Sequence, residues 1–549
     1  MKNLRISLLI LCLLGLNSAR AQFIKEMFKG ANQSVSLHAI VPVNDTPTSN
    51  LYISGTFGSQ IVVGEYKQNG TAVWIKKLMI EDSSYTINSM VRDSDGNLLL
   101  CGGKYIGVDD NGFGFLIKFN PITKTLLWHQ KTNQNILFFD CAEMGVGGNY
   151  IVGGQDESIG TGNAADHITF EVDRTTGNFT LFTNFSANVN ENVDAMLFDA
   201  SSGSVYTTGR YELEPGGSSN FRICLDKIDA LGVVEWTKYY INATGDGGRF
   251  YPKDILQDGD NLIIVGCGDN TGTNSVKNFY MLKVTLGGDL LWVNKYDLTG
   301  TTNDGIFCSV QKHGEGYIVS GSLYAATYTD MFLMNTNFDG DINWAKSYPY
   351  RKKTGAFGMQ MTSALAVIGS NVFHVGEKEM EGGSVRGILL RTAVASGDVG
   401  TCDIDIPITK SLIVDPYQGE YTMTSTSLTA TFTSLFPIVK NQSFNQTITC
   451  TGNGNGTKEW DGESADITTV NGISLYPNPS GEFLNVEIEN FDVNATNTIS
   501  IMDISGRVIT NVIASENVTQ FEVNTWPAGV YLVVIQIGNK TNSFKFIKK

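Results

Sequence analysis

Long hydrophobic runs are almost absent from this chain of 549 residues. One exists, from Leu4 to Leu16, with Lys2 and Arg5 supplying positive charge around its start. A run of thirteen residues is too short to span a bilayer comfortably. Ala19-Arg20-Ala21 follows as a small-x-small cleavage pattern, so residues 1–21 read as a signal peptide and the mature chain starts at Gln22. Leu11 in front of Cys12 excludes a lipoprotein site, and no other stretch qualifies as a transmembrane segment in the mature chain. Positive charge is also short. Lys and Arg number 39 against 55 Asp and Glu, a net charge of -16, which repels nucleic acid. The single basic run, Arg351-Lys352-Lys353, reads as a solvated loop.

Cysteine is sparse and never in CxxC spacing, which excludes a zinc ribbon or a thioredoxin-like site. Seven cysteines remain after Cys12 leaves with the leader. Cys402 and Cys450 flank one strand-rich segment outside the repeats and are expected to pair, whereas the other five read as buried thiols inside strands. Closing a loop of that length would stabilise by roughly 4 kcal/mol in the chain-entropy account. His38, His129, His167, His313 and His374 show no metal-ligand spacing, and Gly-x-Ser-x-Gly, HExxH and Gly-Lys-Ser/Thr motifs are missing. Asp93-Ser94-Asp95-Gly96-Asn97 superficially resembles a calcium loop but lacks the distal Glu and reads as a hairpin turn. No cofactor and no metal site is expected.

What the chain has is repetition. A strand ending in glycine recurs at Gly55, Gly102, Gly153, Gly209, Gly266, Gly321 and Gly376. A second mark, a turn residue four positions before tryptophan, runs in step with it at Gly70/Trp74, Lys124/Trp128, Gly232/Trp236, Gly288/Trp292 and Gly340/Trp344. Gly177/Leu181 and Gly397/Thr401 fill the two remaining slots in degenerate form. Each unit of about fifty residues divides into four short strands joined by turns such as Ser94-Asp95-Gly96, where glycine accepts the positive φ of a tight hairpin. Such a unit cannot bury both faces alone. Closing seven of them into a ring covers the faces and leaves only short edges.

The expectation is therefore an all-β chain: a seven-bladed β-propeller over residues 34–405, preceded by a leader at 22–33. A strand-rich cap on the last blade follows at 406–450, then a flexible linker at 451–472. A linear β-solenoid would favour shorter, more regular repeats. An eighth blade drawn from the cap segment would carry neither repeat mark.

From Ile473 the chain changes into short alternating strands, a small β-sandwich by pattern. Tyr476-Pro477-Asn478-Pro479, Asp503-Ile504-Ser505-Gly506-Arg507, Pro527-Ala528-Gly529-Val530-Tyr531 and the basic end Lys548-Lys549 occur in order. Together they resemble the C-terminal sorting domain of the type IX secretion system of Bacteroidetes-like bacteria, over residues 473–549. The resemblance implies export to the periplasm and passage across the outer membrane to the surface or medium. Its implied partners are the secretion machinery and a surface peptidase that removes the tail.

For the propeller, two function classes stay open. One is a non-catalytic binding or adhesion module for a glycan or a surface protein. The other is a polysaccharide hydrolase or lyase using carboxylates at the channel mouth. A quinone-dependent dehydrogenase lacks any cofactor-stacking signature. Asp140, Asp194, Asp254 and Asp304 stand near the starts of first strands, where a propeller could gather them at one mouth of its channel as a ring that attracts a cation or a hydroxyl-rich ligand. The plainer reading is solvated strand-start carboxylates.

Overall fold

The computed structural model describes residues 22–28, 34–79, 85–104, 112–132, 135–156, 166–185, 191–212, 221–241, 249–269, 278–298, 304–325, 328–348, 364–379 and 384–399. Further on it describes 403–405, 408–412, 417–421, 432–434, 438–442, 445–451, 473–476, 483–488, 491, 497–503, 506–537 and 540–548. No helix occurs among the described residues. The chain divides into two compact units, one built on residues 31–442 and the other on 457–549.

The first unit is a seven-bladed β-propeller made of antiparallel sheets. Blade 1 holds Val35–Pro42, Leu51–Phe57, Gln60–Tyr66 and Ala72–Met79. Blade 2 holds Thr86–Arg92, Leu98–Lys104, Phe113–Asn120 and Thr125–Thr132. In blade 3 the strands are Ile136–Glu143, Tyr150–Asp156, Asp166–Val172 and Phe179–Phe185. Blade 4 has Ala195–Asp199, Ser204–Glu212, Phe221–Ile228 and Val234–Ile241. Blade 5 has Arg249–Asp258, Asn261–Asp269, Asn278–Thr285 and Leu290–Leu298. Asp304–His313, Gly316–Ala325, Tyr328–Asn337 and Ile342–Tyr348 make blade 6, and Ala364–Ile368, Asn371–Glu379 and Val385–Ala393 begin blade 7.

The first strands of successive blades neighbour one another all the way round, and that of blade 7 meets that of blade 1. The ring is closed. At the closing seam the Val385 amide donates to Ser34 Oγ at 3.1 Å, and Arg391 Nη1 donates to the Gln68 carbonyl at 3.4 Å.

Both repeat marks have a steric cause. A Cβ on Gly55, Gly102, Gly154, Gly266 or Gly321 would collide with a carbonyl oxygen of the neighbouring first strand, beside the bulge in that strand, and one on Gly209 with the Asn192 carbonyl just before the first strand of blade 4. In blade 3 the residue with this constraint is Gly154, one position after the glycine picked out by the sequence pattern. The turn slots at 70, 124, 177, 232, 288, 340 and 397 all take positive φ, and Lys124, at 59°, is the one non-glycine doing so among the described residues. The tryptophans share one environment. Trp128, Trp236, Trp292 and Trp344 each lie against the turn glycine of the next blade, at Gly177, Gly288, Gly340 and Gly397. Trp74 likewise reaches Phe119 of blade 2, with centroids 6.0 Å apart. Each is an apolar anchor across a seam.

Two segments behave differently from expectation. The stretch taken as a leader supplies Phe23–Phe28, which lies beside Val385–Ala393 as the fourth strand of blade 7. Ile24 there packs with Leu365, Ile388 and Leu390. The stretch taken as a cap on the last blade is a belt instead. Ile404–Asp405 pairs with the outer strand of blade 6, Ile408–Leu412 with blade 5 and Tyr417–Tyr421 with blade 4. Phe432–Ser434 then pairs with blade 2 and Ile438–Asn441 with blade 1, and Asn445–Thr451 lies beside Phe23–Phe28. The physical reason is that the outer edge of a blade leaves amides and carbonyls unpaired, and short strands running against the blade order satisfy them on every blade except the third among the described residues. Lys346 fastens its start, reaching Asp403 at 2.6 Å and Asp405 at 3.0 Å. The expected Cys402–Cys450 pairing lies outside the described residues.

The second unit is a β-sandwich. Its smaller sheet orders Ile473–Tyr476, Phe483–Ile488 and Val518–Glu522. Its larger sheet orders Val508–Ile513, Asn497–Asp503, Gly529–Ile537 and Lys540–Lys548. Alternating residues, among them Leu484, Val486, Ile499, Ile501, Val533, Ile535 and Phe546, form the core between them.

Candidate functional site

Antiparallel order sorts the connections of every blade into two ends. At one end, first strands join second strands and third join fourth through tight turns such as Asp93–Asn97 and Asp229–Val233. At the other, second strands join third and blades join one another, usually through longer connections such as 157–165, 213–220 and 349–363. Long connections on a rigid frame are where binding residues are displayed. The first strands run from this end along the channel wall.

The four strand-start aspartates do not share one level. Asp140 pairs with Gly153 and Asp254 with Val265, each just before the constrained glycine of its blade, so these two are equivalent. Asp194 sits one residue earlier, since Ala195 is the partner of Thr208. Asp304 pairs with Tyr324, three residues beyond Gly321, and its side chain lies outside the described residues. Sequence position marks where a strand starts, whereas register is set by the bulge, and the two differ between blades.

Asp140 and Asp254 are used as latches between blades. Asp140 accepts the Met196 amide of blade 4 at 2.8 Å, and Asp254 accepts the Val310 amide and Ser309 hydroxyl of blade 6, both at 2.8 Å. Burial pushes their carboxyls up, to about 6 and about 7, against the pull of these hydrogen bonds. Asp194 is held differently. Its Oδ1 lies 3.6 Å from Lys253 Nζ and its Oδ2 3.7 Å from Arg210 Nε, and Oδ2 has no hydrogen-bond partner. Arg210, Lys253 and their aromatic neighbours were not singled out in the sequence. The signal available was a departure from the repeat. The residue after the constrained glycine is Thr56, Gly103, Gln155, Cys267 or Ser322 in other blades, and a cation only at Arg210.

The seam between blades 3 and 4 is unusually polar. Asp226 accepts the hydroxyls of Thr237 at 2.6 Å and Thr207 at 3.1 Å, with His167 Nδ1 3.6 Å away. Glu191, 3% exposed, has no hydrogen-bond partner on either carboxylate oxygen. Burial first, then Asp226 and Asp166, push its carboxyl up to about 8. Asp226 rises to about 6 through burial, and burial holds His167 down at about 3. Among the described residues, no group of three His, Cys, Asp or Glu side chains is placed to hold a metal ion.

In the second unit the Asp503–Arg507 turn stands as the sequence suggests. Gly506 has φ 84°, Arg507 Nε donates to Asp503 Oδ2 at 3.1 Å, and the Tyr531 hydroxyl donates to the Pro527 carbonyl at 2.8 Å. Residues 477–482 and Lys549 lie outside the described residues, as does the Tyr476 side chain. Residues 474–549 match the family described as secretion system C-terminal sorting domain.

The tail is a type IX sorting domain. The sorting domain makes this a protein exported by that system to the cell surface or the medium, and it implies contact with the secretion machinery. No described helix is long and apolar enough to cross a membrane. No curated protein matches the chain. Among solved structures, a protein of unknown function from Dyadobacter fermentans is similar at 11% identity and TM-score 0.41, covering 58% of this chain and 98% of its own. An alpha-L-arabinanase from Penicillium chrysogenum is similar at 10% identity and TM-score 0.36, covering 68% and 98%. PorZ of Porphyromonas gingivalis, a surface component of the type IX system, is similar at 9% identity and TM-score 0.16, covering 96% and 100%.

Proposed function

We propose that the propeller is a non-catalytic binding or adhesion module, delivered to the surface by its sorting domain, that captures a glycan or a surface protein. The observation that carries this reading is the division of labour among the channel carboxylates. Asp140 and Asp254, which a hydrolase would need as a free pair, each spend an oxygen on a backbone amide of a neighbouring blade. Incubating the purified mature chain with a panel of surface polysaccharides, and reading both retention and release of reducing ends, tests it. Retention without cleavage is the expected result, and cleavage of any polymer would replace the reading with the hydrolase one.

The same reading takes residues 1–21 as a removed signal peptide. Cleavage before Gln22 leaves Phe23–Phe28 at the very start of the mature chain, free to enter blade 7. It takes 451–472 as the linker at which a surface peptidase separates the sorting domain, and Cys402–Cys450 as a bond between the two ends of the belt.

A further inference from the structure

Between blades 4 and 5, on the channel wall toward the long-connection end, six side chains from three strands and the segment before blade 4 meet. Arg210 Nε donates to Asn192 Oδ1 at 3.2 Å, and its guanidinium lies 5.8 Å from the Phe221 ring centre and 5.5 Å from that of Tyr251. The two rings are 5.9 Å apart and tilted by 41°. Arg210 and Lys253 face Asp194 from either side at 3.7 and 3.6 Å. The side chains of Arg210 and Lys253 are 29% and 36% exposed, while that of Asp194 is 8% exposed. The rings of Phe221 and Tyr251 are half-buried.

This arrangement is unfinished on its own terms. The terminal guanidinium nitrogens of Arg210 and the ammonium of Lys253 make no hydrogen bond among the described residues, so at least five N–H donors are unspent. Asp194 Oδ2 is buried and also without a hydrogen bond. A buried acceptor of that kind costs free energy unless something donates to it. Two cations face one carboxylate, leaving a positive excess in a chain whose net charge is -16. A second anion would balance them, and the planar fork of arginine is shaped for a carboxylate. The half-buried rings beside the charges offer an apolar contact of the kind a sugar ring makes.

We propose that this constellation binds a carboxylated sugar, a uronic acid residue of a polysaccharide. Arg210 and Lys253 take the ligand carboxylate, Asp194 accepts a ring hydroxyl through Oδ1, and Phe221 with Tyr251 covers the apolar face. The proposal rests on the binding-module reading and names its ligand class.

The test uses the full mature chain and immobilised polygalacturonate, its methyl ester, dextran and dextran sulfate. Retention on polygalacturonate, weakened by salt and absent on the methyl ester, is expected. Lys253→Gln and Arg210→Gln should each weaken it about tenfold, a difference that corresponds to about 1.4 kcal/mol. Arg92→Gln, at the turn end of blade 2, should leave it unchanged. Lys253 is the safer variant because its side chain is the more exposed, so misfolding of the Arg210 variant would not leave the question open. Equal retention on acid and ester, equal retention on dextran sulfate, or indifference to Lys253→Gln overturns the proposal. Retention on dextran alone would overturn the ligand class while leaving the binding-module reading standing. Retention on none of the four polymers overturns the proposal, while the panel of surface polysaccharides decides the binding-module reading separately.

Discussion

The Tyr240 hydroxyl of blade 4 donates a 2.7 Å hydrogen bond to the carbonyl oxygen of Gly288 in the turn of blade 5. Tyr296 does the same to Gly340 at 2.8 Å, and Tyr348 to Gly397 at 2.7 Å. In each case the tyrosine follows the anchoring tryptophan by four residues, so one outer strand grips the next turn twice. Tyr296→Phe keeps the ring and removes only the donor, leaving a buried carbonyl unsatisfied. The expected loss is about 1–2 kcal/mol, read as a lower denaturant midpoint with unchanged slope. An unchanged midpoint would mean that water replaces the hydroxyl at no cost.

Gly153 and Gly154 give a sharper contrast. A Cβ on Gly154 would run into the Leu137 carbonyl, which the bulge fixes in place, whereas one on Gly153 meets the far end of the flexible Met196 side chain. Gly154→Ala should therefore cost about 3 kcal/mol or more and yield little soluble protein, while Gly153→Ala should cost about 1 kcal/mol or less. Equal stability of the two variants, by thermal melting, would remove the steric explanation of the repeat glycine.

How much of this was legible follows from which constraints act through side chains. The seven-fold ring was readable because a close backbone approach admits only glycine and a positive φ nearly so. The belt and the strand Phe23–Phe28 were not. They pair through main-chain groups with outer edges far away in sequence, so nothing in Ile408–Leu412 or Tyr417–Tyr421 names its partner. The aspartates were readable as strand starts, but the bulge shifted their register, and that shift separates the latches Asp140 and Asp254 from Asp194. Arg210 was visible only as an odd residue in a repeat, a signal that needs the register before it has meaning.

The belt has a consequence for proteolysis. Lys346 is buried against Asp398, Asp403 and Asp405, which pull its ammonium group's pKa above the usual range against the effect of burial. Lys346→Met leaves Asp403 without its cation beside the first belt strand. Limited proteolysis should then cut near 404–412 sooner than in the parent chain, with blade 1 fragments appearing no earlier. Cleavage at the parent rate would show that strand pairing alone holds the belt.

Stability should depend on pH through the polar seam of blades 3 and 4. Glu191 has its carboxyl raised from 4.5 to about 8, so the folded chain holds a proton that the unfolded chain has already released. Its contribution is complete below 4.5 and is lost as pH rises to about 8. His129, His167 and His374, held near 3 by burial, act in the opposite sense and only below 6.5. Between pH 6.5 and 8 the buried carboxyls act without them, with Asp254 alongside Glu191. The melting temperature should fall across that window, and Glu191→Gln should flatten the fall. Parallel profiles for parent and variant would show that Glu191 is solvated in the folded protein.

Export should separate from folding at the Asp503–Arg507 turn. Arg507 is 75% exposed, and an ion pair so exposed contributes little to stability. Tyr531, whose ring is buried and whose hydroxyl clasps the Pro527 carbonyl, is part of the sandwich itself. Arg507→Ala should therefore melt like the parent, whereas Tyr531→Ala should lower the melting temperature of the sorting domain. Removal of residues 474–549 should hold the propeller inside the outer membrane, since the address is gone while the ring residues are intact. If the machinery reads the turn, Arg507→Ala should also accumulate in the periplasm despite its normal fold. Fractionation of cells and medium followed by immunoblotting decides this, and normal export of Arg507→Ala would place recognition elsewhere on the sandwich.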